Sequence, residues 1–330
     1  MKVAVLGASG LVGREMLKVM AERNFPFDEL RLLSGKGSAG KTCTYLGKEY
    51  TYEEASESSF EGMDIVLGAA ENAVAQRFAP AIKKAGAVFI DNSSAFRLDD
   101  DVPLVVPEIN PDDAYKHNGI IANPNCVTII AVVAVGGIAK LSPIKTMTAS
   151  SYQAVSGAGR AGLYELEDQV QKYTKGEELK AEAFPHQIAF NLIPRIGSIT
   201  DNGYSKEEMK LQNEGRKIMH LPDMKVSCTC VRVPVFRSHS ISINLLTEDK
   251  VSVEDAKRAI ADFPGAVLLD DAANDLYPTP LLTSDQDLVY VGRVREDLTN
   301  GGIALWCCGD QIRKGAATNA VQIAELLLKQ

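Results

Sequence analysis

Long apolar runs are scarce in this chain. The longest, from Val127 to Ala139, falls short of the ~18–20 residues that a bilayer-spanning helix needs. Clustered basic residues are missing as well: 35 Lys and Arg are scattered among 43 Asp and Glu, for a net charge of −8. That balance argues against nucleic acid as a partner, because a phosphate-binding surface needs Lys and Arg gathered on one face. The six cysteines (Cys43, Cys126, Cys228, Cys230, Cys307 and Cys308) include no paired CxxC loops, so no metal site is expected. The opening Met1–Gly7 is too short for a signal-peptide core and reads as a strand. With no secretion signal, reduced thiols and a cytoplasmic protein are the expectation. Internal repeats, low-complexity segments and an obvious linker are also absent.

What is present is an ordinary globular composition, 45% hydrophobic and 24% charged over 330 residues, enough for about two domains. In the first part, short apolar runs at Lys2–Leu6, Leu30–Leu33, Asp64–Leu67, Ala87–Ile90, Leu104–Val106 and Ile120–Ala122 alternate with helical patterns such as Ala73–Ala85. Alternating strand and helix predicts a parallel, doubly wound sheet of Rossmann type. After about residue 145 the strands lengthen and alternate with period two, at Lys145–Gln153, Met224–Val235 and Ser240–Thr247. With a helix at Val253–Asp262 and strands at Val267–Leu269, Leu288–Arg293 and Ile303–Cys307, this half reads as α+β with a largely antiparallel or mixed sheet. The whole is an α/β protein, closed by an amphipathic helix over Lys314–Lys329.

Three segments carry chemistry. GASGLVG places Gly7, Gly10 and Gly13 between the first strand and the first helix, where a pyrophosphate can approach backbone N–H groups. About 20 residues further on, a site for NAD would show an acidic residue at the end of the second strand. The chain has Ser34-Gly35-Lys36-Gly37-Ser38 instead, hydroxyls and a cation suited to a 2′-phosphate, so NADP is favoured. The second segment is Asn123-Pro124-Asn125-Cys126, where a strand ends and a helix-capable stretch begins. Asn125 is a candidate N-cap, and Cys126 in the first helical turn is the thiol best placed to be a thiolate. The third is Arg232–Ser240. There His239 is a candidate acid/base at the junction of two antiparallel strands, and Arg232 a candidate carboxylate clamp. The other three histidines, His117, His186 and His220, lie in loops or after a helix and have weaker cases.

Taken in order from residue 5 to residue 322, GASGLVG, DNSSAFR, NPNC, YQAVSGAG, RVPVFRSHS and GDQIRKGAATNAVQ resemble the aspartate-semialdehyde dehydrogenase family over essentially the whole chain. The resemblance implies reversible NADP-dependent reductive dephosphorylation of L-aspartyl 4-phosphate to L-aspartate 4-semialdehyde, on the route to lysine, methionine and threonine. It implies Cys126 as nucleophile, His239 as acid/base and Gln153 as the group that orients the acyl chain. Arg232 and Glu207 would bind the substrate's carboxylate and amino group, and Arg97, Lys210 and Asn125 its phosphate. Cofactor contacts would come from Gly7, Ser9, Gly10, Leu11, Val12, Gly13, Ser34, Lys36, Gly37, Ser38, Ser156, Gly157 and Gln311. It further implies an NADP-binding domain over 1–124 and 310–330, a catalytic and dimerisation domain over 125–309, and a homodimer or homotetramer. Two features depart from the family pattern: Gly37 stands where many bacterial members carry arginine, and Gly68–Asn72 replaces a glycine- and serine-rich segment. The alternative is an N-acetyl-γ-glutamyl-phosphate reductase, whose cysteine motif resembles NPGC before an aromatic residue, where this chain has NPNC before Val127.

Overall fold

The computed structural model describes residues 1–328. Its first strand, β1 (Lys2–Leu6), feeds the glycine turn and α1 (Leu11–Glu22). Gly7 holds φ +87°, and a Cβ there would meet the Ala69 carbonyl oxygen at 2.5 Å, so the turn cannot carry a side chain. At Gly13 a Cβ would lie 2.3 Å from the Gly7 oxygen, which lets α1 pack directly on the strand it follows. The chain continues through β2 (Glu29–Ser34), β3 (Thr42–Tyr45), β4 (Lys48–Glu54), β5 (Ile65–Gly68), α2 (Asn72–Lys84), β6 (Val88–Asp91) and β7 (Ile120–Ala122). These strands form one sheet in the order β3-β4-β2-β1-β5-β6-β7, parallel except for the β3–β4 hairpin at its edge. The hairpin is not among the strands expected from sequence. It turns through Leu46 (φ 49°) and Gly47 (φ 75°), the two positive φ values a tight hairpin needs. Leu104–Val106, expected as a strand, makes only a single bridge from Leu104 to Ala122.

The next stretch begins with α3 (Cys126–Leu141), nearly all of whose residues are buried. A helix apolar on every side belongs inside a core, which accounts for the run Val127–Ala139. No described helix is long and apolar enough to cross a membrane. There follow β8 (Ile144–Gln153), α4 (Gly159–Lys175), α5 (Lys206–Met219), β9 (Lys225–Arg232), β10 (His239–Thr247), α6 (Val253–Ala261), β11 (Ala266–Leu268), the short α7 (Pro280–Thr283), β12 (Val289–Glu296) and β13 (Ile303–Gly309). Their sheet runs β11-β12-β13-β10-β8-β9 and is mixed, with β8–β9 and β11–β12 parallel and the rest antiparallel. β9 and β10 run antiparallel without pairing with each other, because β8 lies between them and pairs with both. Strand β9 stops at Arg232, and Pro234 in the connection has no N–H to give a ladder.

The chain then makes a π-helical turn, Arg313–Ala317, before α8 (Thr318–Leu327). The terminal helix is therefore shorter than expected, Lys314 is fully buried in the π turn rather than on a polar helix face, and Lys329 lies outside the described residues. Two compact units result, one of Met1–Asn125 with the chain from Ala316 on, the other of Cys126–Gly315. In the first, Ala317, Ala320, Val321, Ile323 and Ala324 of the C-terminal segment share a core with Val3, Val5, Met16, Leu32 and Leu67.

Candidate active site

Register assembles the site of the second unit. Gln153, last in β8, pairs with Arg232, last in β9, while Ser240 of β10 pairs with Tyr152 and puts His239 beside the same strand end. On its other flank His239 pairs with Gly309, the end of β13, and Gln311 follows two residues later. Four strand ends thus converge on one patch. Cys126, first in α3, brings its Sγ to 3.5 Å from His239 Nε2.

His239 is fully buried, and its Nδ1 accepts the Ala154 backbone N–H at 3.0 Å. A nitrogen that accepts a backbone N–H carries no proton, so the neutral ring holds its proton on Nε2, facing the Cys126 sulfur. Burial, then the nearby Arg232 charge, push the imidazole down to about 3, with Glu207 opposing, so the ring stays neutral at physiological pH. Ser238, immediately before it, adopts φ 73°, a costly conformation for a residue with a Cβ. Its N–H donates to Gln311 Oε1 at 2.8 Å and its hydroxyl bonds Thr283 at 2.6 Å, which holds it there.

Arg232 is 6% exposed and donates to the Ala154 carbonyl at 2.6 Å, yet no carboxylate forms an ion pair with it. Burial lowers its affinity for the proton, while Cys126 and Glu207 raise it. Its guanidinium carbon lies 5.8 Å from the Phe184 ring centroid. Gln153 is 1% exposed, and its amide orientation is set by Ser151, whose hydroxyl donates to Oε1 at 3.0 Å. That leaves Nε2 to donate to Glu207 at 3.3 Å, and Glu207 in turn pairs with Lys210 at 2.8 Å along α5. Gln311 donates to the Ser156 hydroxyl. A Cβ on Gly157 would lie 2.7 Å from Arg232 Nη1, and one on Gly315 would lie 2.8 Å from Cys126 Cβ. So Cys126, His239, Gln153, Arg232, Glu207, Lys210, Ser156, Gly157 and Gln311 belong to one unit and are tied by contacts. Residues the sequence reading missed are Ser151, Ala154, Ser238 and Gly315, whose contributions are a hydroxyl, an N–H, a strained turn and a missing Cβ.

The remaining thiols behave differently. Burial pushes Cys307 well up and Cys308 to about 11, and the neighbouring Cys228 thiol with burial pushes Cys230 up. None of these has an imidazole partner.

The first unit holds the other candidates. No side chain caps α1 and no acidic residue lies in its first turn, whereas Ser205 caps α5 and Ser252 caps α6. The N–H groups opening α1, over Gly10–Val12, suit a pyrophosphate. Ser34 is buried and donates its hydroxyl to the Glu53 and Gly35 carbonyls, while Lys36 and Gly37 are exposed. Arg97 is 7% exposed, with Nε donating to the Asn123 carbonyl at 3.0 Å and Nη2 to that of Asn92 at 2.8 Å. It therefore braces the NPNC segment whatever else it binds. Asn125 is buried. Among the described residues no cluster could hold a metal ion.

Residues 2–117 match the model of the semialdehyde dehydrogenase NAD-binding domain, and residues 135–314 that of the semialdehyde dehydrogenase dimerisation domain. An aspartate-semialdehyde dehydrogenase of Aquifex aeolicus is 50% identical over 100% of this chain and 98% of its own length. The enzyme of that name from Bacillus subtilis is 48% identical over 99% of this chain and 97% of its own. The chain belongs to the aspartate-semialdehyde dehydrogenase family. Among solved members, aspartate semialdehyde dehydrogenase II of Vibrio cholerae complexed with ASA superposes with a TM-score of 0.96 at 43% identity, over 100% of this chain and 98% of that one. The Candida albicans enzyme solved with NADP superposes at 0.75 and 25% identity, over 99% and 98%. The expected fold class agrees with these relatives, and full-length relatives of this name favour the aspartyl reading over the N-acetyl-γ-glutamyl alternative.

Proposed function

We propose that this family member catalyses the reversible, NADP-dependent reductive dephosphorylation of L-aspartyl 4-phosphate to L-aspartate 4-semialdehyde through a thioester on Cys126, in the synthesis of lysine, methionine and threonine. The observation that carries the reading is the buried, acid-free guanidinium of Arg232 beside the Cys126–His239 pair. A buried charge without an ion pair is costly, and a substrate α-carboxylate supplies one. Glu207 is the counterpart for the α-amino group, and Gln153 steers the acyl chain.

In the biosynthetic direction the Cys126 thiolate attacks the acyl carbon, the carbon–oxygen bond to phosphate breaks, and phosphate leaves. Arg97, Lys210 and Asn125 are the groups assigned to it. Bound NADPH supplies hydride for reduction of the thioester. His239 Nε2–H donates to the sulfur and to oxyanion charge developing beside it. When the tetrahedral adduct collapses, the carbon–sulfur bond breaks and the aldehyde is released with Cys126 again a thiolate. Arg232 adds to burial in keeping the His239 ring neutral, and a carboxylate seated on Arg232 removes that added contribution.

The unit carrying α1 fits NADP by the uncapped first turn of that helix and the acid-free end of β2, with contacts from Gly7, Ser9, Gly10, Leu11, Val12, Gly13, Ser34, Lys36, Gly37 and Ser38. The domain boundaries proposed are 1–124 with 310–330, and 125–309. The match to a dimerisation domain supports a homodimer or homotetramer, and the absence of CxxC loops and disulfides supports a cytoplasmic location. The test is NADP reduction with aspartate 4-semialdehyde, with and without phosphate, alongside N-acetylglutamate 5-semialdehyde. Phosphate-dependent turnover of the aspartyl substrate alone is expected. Phosphate-independent oxidation, or preference for the acetylated substrate, overturns the reading.

A further inference from the structure

The loop after β2 should carry the cation that distinguishes NADP from NAD, but it is poorly equipped to do so. Gly37 has open space around it and no charge, and among the described residues the exposed side chains of Lys36 and Lys41 hold no hydrogen bond or ion pair. A flexible, unanchored ammonium is a weak reader of one phosphate, since its ordering costs entropy.

An exposed cation that does have hydrogen-bond partners stands nearby on a different element. Arg14 occupies the first turn of α1, where helix geometry directs long side chains back toward the N-terminus. Its Nε donates to the carbonyl of Ser9, inside the glycine turn, at 3.2 Å. The same guanidinium faces the Tyr52 hydroxyl, together with the Cys43 thiol. Tyr52 in turn anchors the loop after β2: its carbonyl accepts the Gly40 N–H and its N–H donates to the Lys41 carbonyl, both at 2.8 Å. Arg14 therefore spans the two segments that, in this fold, flank the adenosine end of a dinucleotide. It forms no ion pair with any carboxylate among the described residues.

A cavity of about 380 Å³ opens at this place, bordered by Arg14, Lys18, Thr42, Cys43, Thr44 and Tyr52. Every polar side chain lining it can donate a hydrogen bond, and none is a carboxylate. Lys18 is partly engaged by Glu15 and Glu22, which leaves Arg14 the principal charge. Tyr45 also lines the cavity; it is 8% exposed, and its buried hydroxyl has no hydrogen-bond partner. A donor-lined cavity with a hydrogen-bonded guanidinium and an orphan phenol favours an anion rich in acceptors.

We infer that Arg14 is the residue that recognises the 2′-phosphate of NADP in this chain, at the mouth of this cavity, in place of a cation in the loop after β2. The inference rests on the NADP reading above and deepens it. Its test needs no turnover: tryptophan-fluorescence or calorimetric titration of the protein with NADPH and NADH, and with 2′,5′-ADP and 5′-AMP as probes differing only in the 2′-phosphate. Wild type is expected to prefer the phosphorylated member of each pair. In Arg14→Ala, affinity for NADPH and 2′,5′-ADP should fall about tenfold or more, with NADH and 5′-AMP changed by less than about twofold. Arg14→Lys should recover part of the loss, whereas any weakening in Lys36→Ala should fall alike on both members of each pair. Unchanged preference in Arg14→Ala, or equal weakening of NADPH and NADH, overturns the role of Arg14, and a loss confined to Lys36→Ala returns it to the loop. A wild type that binds NADH as tightly as NADPH overturns the cofactor reading itself, a result distinct from any seen only in the variant.

Discussion

The two units of this chain solve the same problem, placing polar groups around a small anionic molecule, by opposite means. In the unit that carries α1, the elements come from one stretch of about 30 residues: a strand, a glycine turn and the N-terminus of the helix that follows. The absence of a Cβ at Gly7 and Gly13 makes the turn possible, and the partial charge of an uncapped helix end does the rest. In the other unit no stretch is sufficient. Gln153, Arg232 and His239 meet because three strands end at the same level, and Cys126 meets them because α3 packs on that sheet. A site built locally should tolerate change at a distance, while a site built by register should be sensitive to single atoms at its joints.

Four measurements would break or sharpen that contrast. The largest effect is expected for Cys126→Ala, a fall in kcat on the order of 10⁴-fold or more with NADPH affinity unchanged. Residual turnover near wild type would remove the thioester, and lost NADPH binding would show that the two units are not separable in this way. Next comes Arg232→Lys, for which kcat/KM should drop about 10²-fold, because an ammonium cannot both hold the Ala154 carbonyl and grip a carboxylate. Steady-state kinetics with unaltered kcat/KM would take Arg232 out of the substrate site. Gly315→Ala adds a single carbon 2.8 Å from Cys126 Cβ and should cost roughly tenfold in kcat with a native melting curve. A rate of Cys126 alkylation by iodoacetamide identical to wild type would show that the thiol has not been displaced.

The smallest effect concerns His239 and stability. Its folded value, about 3, lies below the ordinary 6.5, so the unfolded chain binds the extra proton between those values. Stability present above about pH 6.5 should be lost as pH falls toward 3, with a slope of up to about 1.4 kcal/mol per pH unit from this group. Denaturant melts of wild type and His239→Gln over pH 4–7 measure it as the difference between the two slopes. Parallel slopes would mean that the ring is not held neutral.

Much of this was legible beforehand, and what was not has identifiable causes. The apolar runs at Lys2–Leu6 and Ile120–Ala122 and the NPNC turn announced their elements because short-range propensity and tertiary context agree there. The β3–β4 hairpin escaped because its turn is Leu46-Gly47 rather than the Asn-Gly or Asp-Gly pair that signals such a turn. Leu104–Val106 looked like a strand since an apolar run cannot say whether it has a neighbour to pair with; here it has one bridge. That β8 lies between β9 and β10 could not be read from adjacency in sequence, because strand order is a long-range property.

The sequence by itself determined the parts whose physics is local: the glycine turn, the absence of an acid after β2, a cysteine at a helix start, and the alternation that sets the fold class. Cys126 could be singled out among six thiols on those grounds. Only the tertiary structure decided what each part can do. That Cys126 faces a proton on Nε2 depends on an Ala154 N–H 85 positions from His239, and the acid-free burial of Arg232 depends on every element around it. Likewise, a cation on α1 rather than in the β2 loop faces the nucleotide turn because side-chain direction and strand register, both long-range properties, place it there.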